Sequence, residues 1–461
     1  MVYCYSVVPR QRNGEVMFDI GRFKAKTCGG LTRRSFLKVG ASVPVGLGVA
    51  DALQAAQTNG QAKAKSVILL WLWGAPSHLD MFDPKPKAPL EYRGPFAPIA
   101  TRNPGVQFSE LLPKLAARSD QFSVVRSMVN SNGGHPGAGT VGLTGYEERP
   151  RPVKPNFGSI VAKERGGPPG LPAFFYIGRG IPRDLPRRIE GYGGGTLGAA
   201  YDPFLVQCLA DGKINIPSLQ LLDGISPDRI TDRSSLLTDL DESRRLLDSL
   251  GIENWRRARQ TAFGMLTNKD ALEAFDLTQE DAATRDRYGY TTFGQSCLLA
   301  RRLAEAEVPY IQVNWSEYVE SITPAADFGW DTHIYNFELL QDRHCPIFDR
   351  AMAMLLDDLK ARGMLESTLV VAMGEFGRTP RINNRAARDH WPRCYFSVWA
   401  GGGVQPGRVI GQSDKHGEDP ITDKITPLMA GTTIADLAGV GVQQRAEMEV
   451  LDGGSVIHEL L

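Results

Sequence analysis

Residues Cys345–Pro380, CPIFDRAMAMLLDDLKARGMLESTLVVAMGEFGRTP, contain a helix, a stop, a buried strand and an acidic loop in one run. Ile347, Phe348, Ala351, Met352, Leu355, Leu356 and Leu359 recur at three- and four-residue spacings, which predicts an amphipathic helix from Cys345 to Arg362. Gly363 suits the end of such a helix, because glycine enters left-handed backbone at little cost. Leu369 to Met373 is apolar without alternation, the pattern of a strand covered on both faces. The strand delivers Glu375 to a loop, where an acid either caps the next turn or faces a cleft. Arg378 in the same loop is placed to pair with Glu375 or to bind an anion bidentately.

The same order occurs upstream. FGQSCLLARRLAEAEV (293–308) reads as a helix, PYIQVNW (309–315) as the next strand, and GWDTH (329–333) as a later loop. Ser66 to Trp73, Phe122 to Val129 and Pro172 to Ile177 supply further apolar strands. Helix, strand and acidic loop in repetition is the logic of an α/β fold with a doubly wound, mostly parallel sheet, helices on both faces and a site at the strands' carboxyl ends. From about Ile214 to Tyr290 the sequence turns charged and helical in period, which predicts a helical insertion. The expected organisation is a leader over 1–56 and one α/β domain over 57–461.

Composition narrows the function classes. The 461 residues carry 52 basic and 52 acidic side chains, a formal net charge of +0, so there is no electrostatic footprint for nucleic acid or an anionic membrane. Forty-nine glycines and 30 prolines cluster in segments such as GGHPGAG and WAGGGVQPG, as expected of long loops that carry binding residues. Cys208, Cys297, Cys345 and Cys394 have no CxxC or zinc-ribbon spacing and read as buried thiols, with one disulfide left open; Cys4 and Cys28 lie in the leader.

The leader itself reads as an address. Arg33 and Arg34 precede Ser35, Phe36, Leu37 and Lys38, and a weakly apolar stretch runs to Ala50. That stretch is too short and too rich in Gly, Ser and Pro for a stable transmembrane span. It resembles a twin-arginine export signal, with small residues near Ala50, Ala52 and Ala56 as cleavage sites and Met17 as an alternative start. The expectation is export to the periplasm or cell surface through the twin-arginine machinery, which moves folded chains.

Carboxylates and imidazoles mark the candidate site. Asp331 and His333 stand two apart, so extended backbone turns both to one face; Asp389 and His390 offer further donors. Such an oxygen and nitrogen set suits a divalent metal, zinc first, with manganese, calcium and iron as alternatives. The structural alternative is an Asp331 that caps the following helix and a His333 packed on Trp330. His78 and Asp80, close to Asp83, either ligate metal or organise a turn after the first strand. His135, in NGGHPGAGTVGLTG, is the remaining imidazole beside a glycine-rich segment.

These segments carry a resemblance. GAPSHLDMFDPKP, WDTHIYNFELL, DDLKARGMLESTLVVAMGEFGRTPRIN and DHWPRCYFSVWAGGGV resemble the DUF1501 family of exported proteins, within the alkaline phosphatase and sulfatase superfamily, from about Ser66 to the C-terminus. The resemblance implies an alkaline phosphatase-like fold and a metal-dependent hydrolase or transferase of phosphate or sulfate esters, small or glycan-borne. Asp331, His333 and His390 match an Asp and two His of one superfamily metal site. Glu375 keeps the carboxylate of an Asp-His-Gly loop whose imidazole is lost here, Phe376 standing in its place, and Asp80 follows its strand later than the superfamily's acid does. His135 stands ten residues before the Gly of Leu-Thr-Gly, where sulfatases place a Cys or Ser nucleophile. The resemblance makes His135 a candidate catalytic residue, with Ser131 and Thr140 as alternative hydroxyls; Arg378, read above as able to bind an anion, is the other candidate. At a helix N-terminus the His135 imidazole is expected to be neutral. A member that binds metal or glycan without turnover is the second functional expectation.

Overall fold

The computed structural model describes residues 62–149, 151–178, 189–216, 269–316 and 329–461, together with five short strands between Pro9 and Val39. The chain divides into two units, Met1–Asn59 and Gly60–Leu461. In the first, Pro9–Arg12 pairs antiparallel with Glu15–Asp19, and Phe23–Lys26 with Thr32–Ser35. The sequence places Asn13-Gly14 between the first two strands, a strong two-residue hairpin signal that a search for long apolar runs passes over.

Among the described residues, the second unit is built on a nine-stranded sheet. In chain order its strands are β1 (Ser66–Trp71), β2 (Ser123–Met128), β3 (Phe174–Ile177), β4 (Phe204–Cys208), β5 (Ile214–Asn215), β6 (Tyr310–Asn314), β7 (Thr368–Met373), β8 (Tyr395–Ala400) and β9 (Val409–Ile410). They lie side by side as β5-β4-β3-β6-β1-β7-β8-β2-β9. Parallel pairing joins β4, β3, β6, β1 and β7, while β8 runs antiparallel to both β7 and β2, and β5 antiparallel to β4. The sheet is thus doubly wound and mostly parallel, as the alternating pattern predicts.

Period-two alternation along β1 feeds two apolar layers. Ile68 and Leu70 pack with Phe82, Leu355 and Leu359, whereas Val67, Leu69 and Trp71 pack with Phe157, Ile160 and Ile434. Helices α3 (Thr292–Glu305) and α4 (Cys345–Ala361) cover the first face; α1 (His135–Thr144), α2 (Phe157–Arg165) and α5 (Pro427–Leu437) cover the second. Each buried Leu, Ile or Phe contributes about 1.5–3 kcal/mol relative to exposure, so the two layers hold the sheet edge rigid. Phe348→Ala in α4 would cost about 3–5 kcal/mol. Gly363, with φ +68, follows the last turn of α4, where its N–H reaches the Lys360 carbonyl.

Register brings the loops to one edge. Trp71 of β1 pairs with Asn314 of β6 and with Met373 of β7, so these three strands end level. β8 enters from that same edge because it runs the other way, and Tyr395 at its start pairs with Met128 at the end of β2. Residues 74–80, 129–134, 329–333, 374–378 and 388–394 therefore all emerge at the carboxyl edge of the parallel strands. Most of the expected insertion, 217–268, lies outside the described residues. On its C-terminal side, helices Lys269–Phe275 and Ala282–Tyr288 pack against the α3 and α4 layer.

Helix α1 is unusual in being buried along its whole length. A Cβ added to Gly139 would lie 2.3 Å from the Trp73 ring, and one on Gly142 would lie 2.4 Å from the Trp71 ring. Each interior glycine weakens a helix by about 1 kcal/mol relative to alanine. Here they let the helix sit directly on the two tryptophans.

Candidate metal centre

Asp331 lies at the centre of the site, 3% exposed. Its Oδ1 is 3.0 Å from His333 Nε2 and 3.2 Å from His390 Nε2, and its Oδ2 is 3.1 Å from His135 Nε2. The two imidazoles of His333 and His390 also meet, Nε2 to Nε2, at 3.0 Å. His135, Asp331 and His390 each offer one ligand atom, all within 4.8 Å of one another, so small side-chain shifts would bring them inside the roughly 4 Å that two ligand bonds of about 2 Å span.

The other nitrogen of each ring is held by an acceptor. His135 Nδ1–H donates to Glu375 Oε1 at 2.6 Å, His333 Nδ1–H to Asp389 Oδ1 at 2.8 Å, and His390 Nδ1–H to the Gly133 carbonyl at 2.8 Å. Fixing Nδ1–H fixes the tautomer and aims Nε2, which is how proteins orient imidazole ligands. Among the described residues, His135 Nε2 and Glu375 Oε2 are buried without a hydrogen-bond partner, since Asp331 is close to His135 Nε2 but poorly aligned with it. The donors thus fit a divalent cation: nitrogen and carboxylate oxygen, converging, with their outer atoms already engaged.

Protonation follows from these contacts. Burial pushes the His135 pKa down, but the close contacts and charges of Asp331 and Glu375 outweigh it and raise the value to about 9. The helix N-terminus does not keep this imidazole neutral, because two carboxylates at contact distance exceed the field of a half-charge at the helix end. Burial likewise raises Asp331, yet Arg378 and the three imidazoles hold it well below the usual carboxylate range. His333 is raised by its hydrogen bond to Asp331, whereas His390 is lowered by burial and by the nearby Arg378 charge.

Several expected roles change. Arg378 is fully buried and pairs with Asp331, not with Glu375; its Nε donates to the Ala75 carbonyl at 2.9 Å and its Nη2 to the Gly74 carbonyl. Its donors are engaged, so it orients Asp331 and does not reach out to an anion. Asp80 is not in the cluster. Arg388 takes both its oxygens, Nε to Oδ2 at 2.7 Å and Nη2 to Oδ1 at 3.0 Å. His78 is also elsewhere, buried with Nε2 at 2.8 Å from the Gly417 carbonyl. The loop after β1 instead offers backbone: the Gly74 N–H donates to Glu375 Oε1 at 2.9 Å, and Ala75 takes a left-handed φ of 65° that turns its carbonyl to Arg378. Glu375 and Asp389 reach the cluster through histidine Nδ1 atoms, one step out from the converging Nε2 set.

Residues not anticipated from sequence complete the frame. Asn130 Nδ2 donates to the Glu375 carbonyl at 2.7 Å and to the Ala138 carbonyl at 3.1 Å, tying α1 to the β7 loop. Arg388 stands beside Asp389 and His390 in ARDHWP, and a basic residue flanking two candidate donors was the available signal. The alternative hydroxyls are committed elsewhere: Ser131 Oγ donates to Glu147, and Thr140 Oγ1 donates to the Pro136 carbonyl at 2.8 Å. Cys208, Cys297, Cys345 and Cys394 are free buried thiols. Among the described residues no helix is long and apolar enough to cross a membrane.

A family model described as "Protein of unknown function (DUF1501)" matches residues 64–461. Comparison with curated proteins returns no match. Similar solved structures include Ps i-CgsB in complex with k-i-k-neocarrahexaose, 12% identical with a TM-score of 0.39, covering 85% of this chain and 74% of that one. PsFucS1 sulfatase from Pseudoalteromonas sp. is 12% identical with a TM-score of 0.34, covering 85% and 70%. The phosphonate monoester hydrolase SpPMH from Silicibacter pomeroyi is 11% identical with a TM-score of 0.30, covering 86% and 76%. Values this low decide nothing about the chemistry of this chain.

Proposed function

The chain belongs to the DUF1501 family, and we propose that this member is an exported metal-dependent hydrolase or transferase of phosphate or sulfate esters. One observation carries the reading: three imidazoles with their Nδ1–H groups fixed by Glu375, Asp389 and Gly133 turn their Nε2 atoms toward the single carboxylate of Asp331. His135, His333, His390 and Asp331 would hold a divalent cation, zinc first. Such a cation, when bound, polarises an ester oxygen or lowers the pKa of a water.

The protein's own groups do the rest. Arg378 holds Asp331 ionised and in place, Glu375 holds the His135 ring, and the carboxyl edge of the sheet supplies the crevice. Without a cation, His135 sits as an imidazolium between two carboxylates and has no lone pair to offer, so the cluster by itself does not make it a nucleophile. That observation also favours a second reading, a member that binds metal or a glycan without turnover, because Ser131 and Thr140 are hydrogen-bonded away.

Metal analysis of the purified protein, followed by aryl phosphate and aryl sulfate substrates, separates these. Stoichiometric metal with hydrolysis that His135→Ala abolishes supports the enzyme. Stoichiometric metal with no turnover supports the binding protein, and no metal at all rejects the enzyme and leaves only glycan binding of the second reading. Export rests on the Arg33-Arg34 pair and the short apolar stretch behind it. Changing both arginines to lysine should retain the protein in the cytoplasm; unchanged secretion would refute the leader reading.

A further inference from the structure

The ion pair of Asp80 and Arg388 lies outside the imidazole cluster, yet it touches both loops that supply it. Arg388 directly precedes Asp389 and His390, and besides Asp80 it donates to the carbonyls of Tyr92 and Thr379, each at 2.9 Å, and of Pro380. On the other side of the same carboxylate, Asn336 Nδ2 donates to Asp80 Oδ2 at 3.3 Å. The side-chain amide oxygen Oδ1 of the same Asn336 accepts from the Thr332 hydroxyl, and Thr332 stands between Asp331 and His333. Asp80, Arg388, Asn336 and Thr332 are all 2% exposed or less.

We infer that Asp80 is a positioning residue that couples the Asp331–His333 loop to the Asp389–His390 loop through Asn336 and Thr332 on one side and Arg388 on the other. The functional sense of this coupling rests on the metal reading above. Other bridges between the two loops run through the site itself, from His333 to Asp389 at 2.8 Å and from His390 to Asp331 at 3.2 Å. Those involve the atoms and rings that a cation would claim. The Asp80 bridge uses none of them, so it keeps the loops in register whether or not the site is filled. A buried carboxylate is suited to this, because its two oxygens accept from both partners at once and the paired guanidinium cannot shed its charge.

The test separates coupling from mere stability. Thr332→Val removes one hydroxyl and leaves the ion pair intact, so it stays informative even where Asp80→Asn does not fold. In metal-free protein, Thr332→Val should speed amide exchange at Asp389, across the bridge, by about tenfold, while amides of β7 stay protected. Asp80→Asn should speed exchange in both loops together. Zinc affinity measured by calorimetry should fall about 10- to 100-fold in each variant, the usual consequence of removing an outer partner. Faster exchange confined to residues 331–333 in Thr332→Val, with Asp389 unchanged, would overturn the inference. A parent protein that takes up no zinc would reject the metal reading, while the exchange result would still decide the coupling.

Discussion

Asp80 and Asp331 are buried alike, 1% and 3% exposed, and each meets a fully buried arginine, yet they are finished in opposite ways. Asp80 has both oxygens bonded by Arg388 and a further donor from Asn336. Asp331 shares Oδ1 among Arg378, His333 and His390 and turns Oδ2 to His135. The first is a closed structural pair. The second is a centre whose neighbours hold nitrogen lone pairs or exchangeable protons, and next to it lie two buried atoms with no hydrogen-bond partner. Burial does not distinguish a functional carboxylate from a structural one here; completeness of partnering does.

The largest expected effect breaks the comparison directly. Asp331→Asn should lower zinc affinity at least about 100-fold, with the fold retained, whereas Asp80→Ala should cost about 3–5 kcal/mol of stability by stranding the Arg388 charge. Calorimetry and urea unfolding measure the two. Equal losses of stability in both variants would erase the distinction.

A third buried carboxylate, Asp349, sharpens it, because it lies away from the imidazoles and its close partners are amides. It accepts the Leu115 N–H at 2.8 Å and the Lys114 N–H at 3.0 Å, and burial raises its pKa from the ordinary 3.8 to about 6. A carboxyl whose folded pKa stands above its unfolded value contributes stability that is full below about pH 3.8 and lost as pH climbs through about 6. The shift corresponds to about 3 kcal/mol. Unfolding free energies between pH 4 and pH 7 should therefore fall more steeply in the parent than in Asp349→Asn. Parallel curves would show that amide hydrogen bonds alone keep Asp349 ionised.

The smallest effect is a control. Ser131→Ala, at an exposed position in the site's rim, should change stability by no more than about 0.5 kcal/mol and leave zinc affinity unchanged. A marked loss of zinc would mean that the hydroxyl belongs to the centre after all.

The parallel part of the fold was legible because its signals are local. Continuous apolar runs and helical patterns identify β1, β6, β7, α3 and α4 within a few residues of their ends, and strand-end loops follow from them. Asp331, His333 and His390 were legible as donors for the same reason. Their partners were not. Whether Arg378 meets Glu375 three residues away or Asp331 47 positions upstream depends on the register of β6 and β7, and that is set by the whole sheet. Asp80 stays open between ligand and structural roles in the sequence, because a carboxylate after the first strand looks the same there whether Arg388 or a cation completes it. β8 runs against the parallel direction, so His390 reaches the edge ahead of its strand and not after it.

Helix α1 gives the site an uneven response to heat. His135 opens a helix with three interior glycines, Gly137, Gly139 and Gly142, whose place is kept by contact with Trp71, Trp73 and Asn132 more than by its own backbone preference. Warming that loosens those contacts should free the first turn while the sheet is still intact. The cluster would then lose one imidazole well below the temperature at which the protein unfolds, and a tryptophan near-ultraviolet signal would fade together with metal affinity. The working temperature range of the centre would be set by two tryptophans that touch none of its ligand atoms.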